Sequence, residues 1–108
     1  MIARLEGKIA GLKGNSVILM AGGVGYQVFV SVYTLGKLAG SENVLLHIHT
    51  HVREDALLLY GFLDEDELTM FELLISISGI GPKVGLSILS IADTKTIRTA
   101  MHSFFECR

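Results

Sequence analysis

A closed five-stranded β-barrel followed by a small, incomplete all-helical unit is the fold class that the 108-residue sequence predicts. Two observations predict it. Up to residue 63, short apolar runs alternate with polar residues and are separated by glycine-rich turns, the signature of strands. From Asp64 onward, apolar residues recur at helical spacing. Five strands in some 60 residues favour a small Greek-key barrel, because closure removes exposed edges. The expected units are 1–63, a barrel, and 64–108, part of a helical domain.

The elements follow in order. Ile2, Leu5, Ile9 and Leu12 lie in a charged, glycine-punctuated segment, which predicts one long, bent strand. SVILMA (16–21) is a short apolar strand, and GGVG (22–25) is the turn that reverses it. YQVFVSV (26–32) alternates, with Val28, Val30 and Val32 on one face and Gln27, Phe29 and Ser31 on the other. YTLGKLAGSE (33–42) reads as a short helical turn or loop. NVLLHIHTHVR (43–53) and ALLLYGF (56–62) are strands joined tightly through Arg53–Ala56. DEDELTMFELLISI (64–77) then puts Leu68, Phe71, Leu74 and Ile75 on one helical face, with Asp64 as the cap and acids at the positive end of the dipole. GIGP (79–82) stops this helix and Pro82 opens the next, where its missing N–H is not needed. ADTKTIRTAMHSFF (92–105) is a third helix, capped by Asp93 or Thr94.

Half of the residues are apolar and mean hydropathy is +0.52, so a packed core is available. No apolar run approaches the ~20 residues of a membrane span, and the charged start MIARLEGK is not a signal peptide. Cys107 is the only cysteine, so no internal disulfide forms. These features fit a cytoplasmic protein. A formal net charge of −2 excludes coating of nucleic acid by bulk charge. Local phosphate contacts by a few lysines and backbone N–H groups stay open.

SGIGPKVGLSIL (78–89) carries the most chemistry. Gly79 and Gly81 permit positive φ and leave no Cβ in the way of a phosphate. Ile80, between them, inserts into the core. N–H groups in the first turn of the second helix, at Lys83 and Val84, lack helical partners, and a phosphate oxygen can accept from them beside the Lys83 ammonium. This is a helix-hairpin-helix, a grip on DNA backbone without base readout. A plain helical corner is the bland alternative. A P-loop is excluded because Pro-Lys-Val follows the glycines.

His47, His49 and His51 share one strand face. Neighbours on such a face are about 7 Å apart, too far for tetrahedral ligation without bending, and no fourth ligand is evident. They read as ordinary strand residues, not as a metal site. Arg53-Glu54-Asp55 reads as a hairpin tip; nothing nearby completes an acid–base or Mg²⁺ site around its carboxylates.

The start MIARLEGKI, the turn GGVGYQV, the block HVREDALLLYGF and the hairpin GIGPKVGLSILS occur together in this order. From Met1 to about Thr99 the chain closely resembles the RuvA family of bacterial Holliday-junction DNA-binding subunits. The resemblance implies an OB-fold barrel and a helical domain with two helix-hairpin-helix motifs. It implies a homotetramer, alone or face to face as an octamer, that holds four-way junction DNA open, square and flat. A RuvB-type hexameric ATPase, recruited by a separate C-terminal domain, drives branch migration. The RuvA-like part would then need no cofactor, no metal and no catalytic residue.

By the same resemblance Gly79, Ile80, Gly81, Lys83 and Val84 contact DNA, while Glu54 and Asp55 form an "acidic pin" near the junction centre. The tail AMHSFFECR departs from the family, and neither a second hairpin nor a motor-binding domain follows, so the expectation is a truncated product. Two alternatives accompany this reading: a generic OB-fold module for single strands, and an assembly core that lacks DNA binding. A metal-dependent enzyme built on the histidines, Glu54 and Asp55 is the rival from another class.

Overall fold

The computed structural model describes residues 2–38 and 42–91. The helix expected over 92–105, Cys107 and part of the 33–42 segment lie outside the described residues. The elements are β1 (Arg4–Lys13), β2 (Ser16–Ala21), β3 (Val24–Phe29), α1 (Val32–Leu38), β4 (Asn43–Val52), β5 (Leu57–Phe62), α2 (Glu65–Ile75) and α3 (Pro82–Ile91). The strands close in the order β1-β2-β3-β5-β4, and this five-stranded barrel is an OB-fold.

β1 is the long, bent strand that its glycine punctuation predicts. Its first half pairs with β4, from Arg4↔His47 to Lys8↔Asn43, and its second half pairs with β2, from Lys8↔Met20 to Lys13↔Ser16. The register shifts between Ile9 and Gly11, and such a bulge bends a strand enough to serve two neighbours. Gly22 (φ 59°) and Gly23 (φ 83°) make the two-residue turn from β2 to β3, in which both central residues need positive φ. A short parallel pairing, Val28↔Leu59 and Phe29↔Tyr60, closes the barrel.

Inside the barrel Val17, Leu19, Val28, Val30, Leu46, Ile48 and Leu59 are buried, joined by Leu38 from α1. The strand expected over 26–32 is corrected here: β3 ends at Phe29, and Val32 begins α1 with its side chain exposed. Ser31 is the cause. Its Oγ accepts from the Thr34 N–H (3.1 Å) and donates to Thr34 Oγ1 (3.1 Å), a local bond that competes with a strand ladder.

α2 and α3 rest on the outer surface of the barrel. A second cluster joins Tyr60 and Phe62 of β5 to Met70, Phe71 and Leu74 of α2 and to Leu86 and Leu89 of α3. Phe71 is its hub, with ring centroids 4.9 Å from Phe62 and 5.4 Å from Tyr60, in the range of favourable aromatic pairs. The predicted stripe is thus corrected in detail: Phe71 and Leu74 are buried together with Met70, while Leu68 and Ile75 are half-buried at the margin.

Asp64 caps α2 from an extended backbone (φ −130°, ψ 160°), its Oδ1 accepting from the Glu67 N–H at 3.1 Å. Replacing Asp64 by Ala is expected to cost about 1 kcal/mol, read as a lower urea midpoint at unchanged slope. Burial, and then the neighbouring Asp64 charge, raise the Glu67 pKa above the ordinary carboxylate value, with Lys37 partly offsetting them.

Candidate nucleic-acid interface

The turn between α2 and α3 is built from local hydrogen bonds. Past α2, the Ser76 N–H donates to the Leu73 carbonyl (3.2 Å), the Ile77 N–H to Leu74 (3.1 Å) and the Ile80 N–H to Ile77 (3.1 Å). The chain reverses at Gly79, whose φ of 91° is open to glycine without strain. Gly81 does not use a positive φ; a Cβ there would meet nothing within 4 Å. Ile80 packs against the second cluster, and its N–H is already taken by Ile77.

The first bond of α3 runs from the Gly85 N–H to the Gly81 carbonyl (2.9 Å). The N–H groups of Lys83 and Val84 precede it, in the turn where helix donors are unmatched. Both side chains are exposed. An anion at this helix start can therefore meet two backbone donors, the dipole and an ammonium. Gly85, which the sequence reading passed over, keeps the two helices close: a Cβ there would lie 3.2 Å from Ile75 Cγ2 and 3.4 Å from Phe71 Cε1. Its one legible signal was a glycine inside a helical pattern.

α3 continues along the barrel. A groove of about 520 Å³ runs between them, with Phe29, Leu58, Tyr60 and Leu86 on its floor and Lys83 and Ser87 on its edge. The Val32 N–H, at the start of α1, donates to Ser90 Oγ (3.1 Å) across the far end. Burial raises the Tyr60 phenol pKa, with the Arg53 charge partly offsetting it.

The second candidate element is the β4–β5 tip. The Arg53 N–H donates to the Ala56 carbonyl at 2.8 Å and closes a tight turn. Glu54 and Asp55 stand exposed at its apex.

With both elements located, relatives place the chain. A model of the RuvA N terminal domain matches residues 1–61. The Holliday junction branch migration complex subunit RuvA of Syntrophotalea carbinolica is 48% identical over 101 residues, 94% of this chain and 51% of that protein. The subunit of the same name from Trichlorobacter lovleyi is 52% identical over 101 residues, 94% of this chain and 50% of its own. That of Solibacter usitatus is 53% identical over 92 residues, 83% of this chain and 46% of its own. This chain belongs to the RuvA family.

The chain spans about half the length of the curated relatives that it matches. Two of the histidines, His49 and His51, pack against rings of this RuvA barrel and its helices. His49 Nδ1–H donates to Glu72 Oε2 at 2.9 Å, and its ring meets Phe71 edge-on at 5.4 Å. His51 meets Tyr60 edge-on at 6.5 Å. His49 and His51 ring centres are 6.3 Å apart, and among the described residues no three His, Cys, Asp or Glu side chains are grouped closely enough to hold a metal ion.

Four of the five aromatics of the barrel half are also committed: Phe62 and Tyr60 are buried, and Tyr26 and Phe29 pack against the two clusters. Tyr33 is exposed, with the Lys37 ammonium 4.3 Å from its ring centre. No helix among the described residues is long and apolar enough to cross a membrane.

Proposed function

We propose that this chain is a structure-specific DNA-binding protein that recognises four-way junctions as a homotetramer. The observation that carries the reading is the α2–α3 turn, where Gly79 at φ 91° leads straight into a helix start bearing Lys83. Residues 1–63 act as the assembling barrel and residues 64–108 as the DNA-gripping unit. The N–H groups of Lys83 and Val84, with the Lys83 side chain, bind phosphate. Gly79 and Gly81 let the backbone approach, and Ile80 anchors the turn in the core. No base is read, so recognition rests on the shape of the junction. Chemistry on the DNA would come from a partner ATPase of the RuvB type, and the place of action would be the bacterial cytoplasm. The names of the relatives, branch migration complex subunits, support this.

Glu54 and Asp55 act by repulsion. A carboxylate about 8 Å from a phosphate in water-like dielectric is disfavoured by only about 0.5 kcal/mol. Four tips around one centre multiply that term, so a continuous duplex crossing the centre is disfavoured while separated strands turning away are not. Neutralising both, Glu54→Gln with Asp55→Asn, is expected to raise duplex affinity and to narrow the junction-over-duplex preference by about threefold to tenfold. Competition binding at one fixed salt concentration checks this; an unchanged preference removes the acids from the account. A single-strand module is disfavoured by the aromatics, since stacking surfaces of that kind need several exposed rings and of the five in the barrel half only Tyr33 stands exposed.

A further inference from the structure

One polar contact ties the strand that leads to the acidic tip to the helix that leads to the glycine turn. His49 Nδ1 on β4 lies 2.9 Å from Glu72 Oε2 on α2, across 23 positions of the chain. β4 runs on from His49 toward Glu54 and Asp55, and α2 runs on from Glu72 toward Gly79 and Lys83. The His49 ring is held on two sides: Phe71 meets it edge-on at 5.4 Å, and the His51 ring lies 6.3 Å away. That packing aims Nδ1 at the carboxylate.

The contact supplies direction more than adhesion. The His49 side chain keeps 19% of its surface exposed and Glu72 keeps 52%, and pairs as open as this add little to stability. Adhesion of α2 to the barrel comes from Met70, Phe71 and Leu74 against Tyr60 and Phe62. Apolar burial has no preferred direction, so it holds the helix on the barrel without fixing its rotation. A hydrogen bond weakens steeply when its angle or length changes, so it does fix that rotation.

We propose that His49 and Glu72 are positioning residues for junction recognition, their hydrogen bond setting the spacing between the Glu54–Asp55 tip and the Gly79–Lys83 turn. The proposal rests on the junction reading above and adds the residues that govern its selectivity. Gripping phosphate needs the turn alone, and any DNA backbone supplies the phosphate. Rejecting a continuous duplex needs tip and turn on one rigid body, so that a strand held at Lys83 meets the carboxylates at a set distance. Loosening the contact therefore costs selectivity before it costs grip.

The test compares the 108-residue parent with His49→Phe, which keeps a ring against Phe71 but has no donor, and with Glu72→Ala, which removes the acceptor from an exposed helix position. The double variant and Glu72→Gln, which retains an acceptor oxygen at the same reach, complete the set. Each is titrated with four-way junction and with duplex of the same sequence, at one pH and one salt concentration. The junction-over-duplex preference is expected to fall about threefold to tenfold in each single variant, to fall no further in the double variant and to stay parent-like in Glu72→Gln. Duplex affinity and urea midpoints are expected to stay close to those of the parent. An unchanged preference in either single variant overturns the proposal, as do additive losses in the double variant, an equal loss on both DNAs, or failure of Glu72→Gln to restore the preference. A second readout needs no DNA. Spin labels on Ala56→Cys and Ser78→Cys, both exposed positions, in a Cys107→Ser chain diluted with unlabelled parent, report the spacing of tip and turn. Their distance distribution is expected to broaden in His49→Phe and to stay narrow in Glu72→Gln; an unbroadened distribution in His49→Phe overturns the proposal whatever the DNA titrations give. A parent chain that does not distinguish junction from duplex fails the junction reading first and takes the selectivity role with it, and that outcome is visible before any variant is compared.

Discussion

Replacing Phe71 by Ala is expected to release the helices from the barrel and to cost about 3–5 kcal/mol, the usual range for truncating a fully buried aromatic. Phe71 has no exposed surface and touches both halves at once: the rings of Tyr60, Phe62 and His49 on the barrel side, and the Gly85 position on α3. Its removal leaves a cavity where β5, α2 and α3 meet. Small domains have only about 5–15 kcal/mol in total, so this is a large fraction. The inner barrel cluster does not include Phe71, and strand signal in circular dichroism should outlast helical signal in a urea titration. A loss below about 1 kcal/mol would show that the cluster is not what holds the helices in place.

Gly7→Ala is the second large effect. A Cβ at Gly7 would overlap the Met20 carbonyl oxygen and lie 2.9 Å from its carbon and 3.3 Å from Ala21 Cα. All three are backbone atoms and cannot rotate away. The position is where β1 passes from β4 to β2, so relief would require breaking one of those ladders. The expected cost is about 3 kcal/mol or more, at the upper end for overpacking. Gly11→Ala is the matched control on the same strand. A Cβ there meets nothing within 4 Å, and its urea midpoint should stay close to that of the parent. Equal behaviour of the two variants would contradict the close approach at Met20.

Much of this was legible because period and turn chemistry are local. The alternation in β4, the Gly-Gly turn, the Asp64 cap and the Pro82 helix start can each be read from a few adjacent residues. The end of β3 was misread for a physical reason. Val28, Val30 and Val32 continue a strand alternation, yet the Ser31–Thr34 bonds redirect the chain into α1. Ser-x-x-Thr ahead of Leu35 and Leu38 was the available signal. Other features join distant residues and leave no local trace. The parallel Val28↔Leu59 pairing that closes the barrel is one, and the His49–Glu72 bond across 23 positions is another. At the candidate interface the glycine turn was readable, but which glycine takes positive φ was not: Gly79 does and Gly81 does not.

The central claim is that this chain recognises the shape of a junction. The most direct measurement is a competition at one stated salt concentration, with a labelled four-way junction challenged by linear duplex of the same sequence and length. The account predicts that duplex competes poorly, and that raising salt weakens both complexes while leaving the junction ahead, since phosphate contacts are shared and shape is not. Equal competition by duplex would contradict it, and would leave the chain as a barrel and helix assembly whose glycine turn grips any DNA backbone alike.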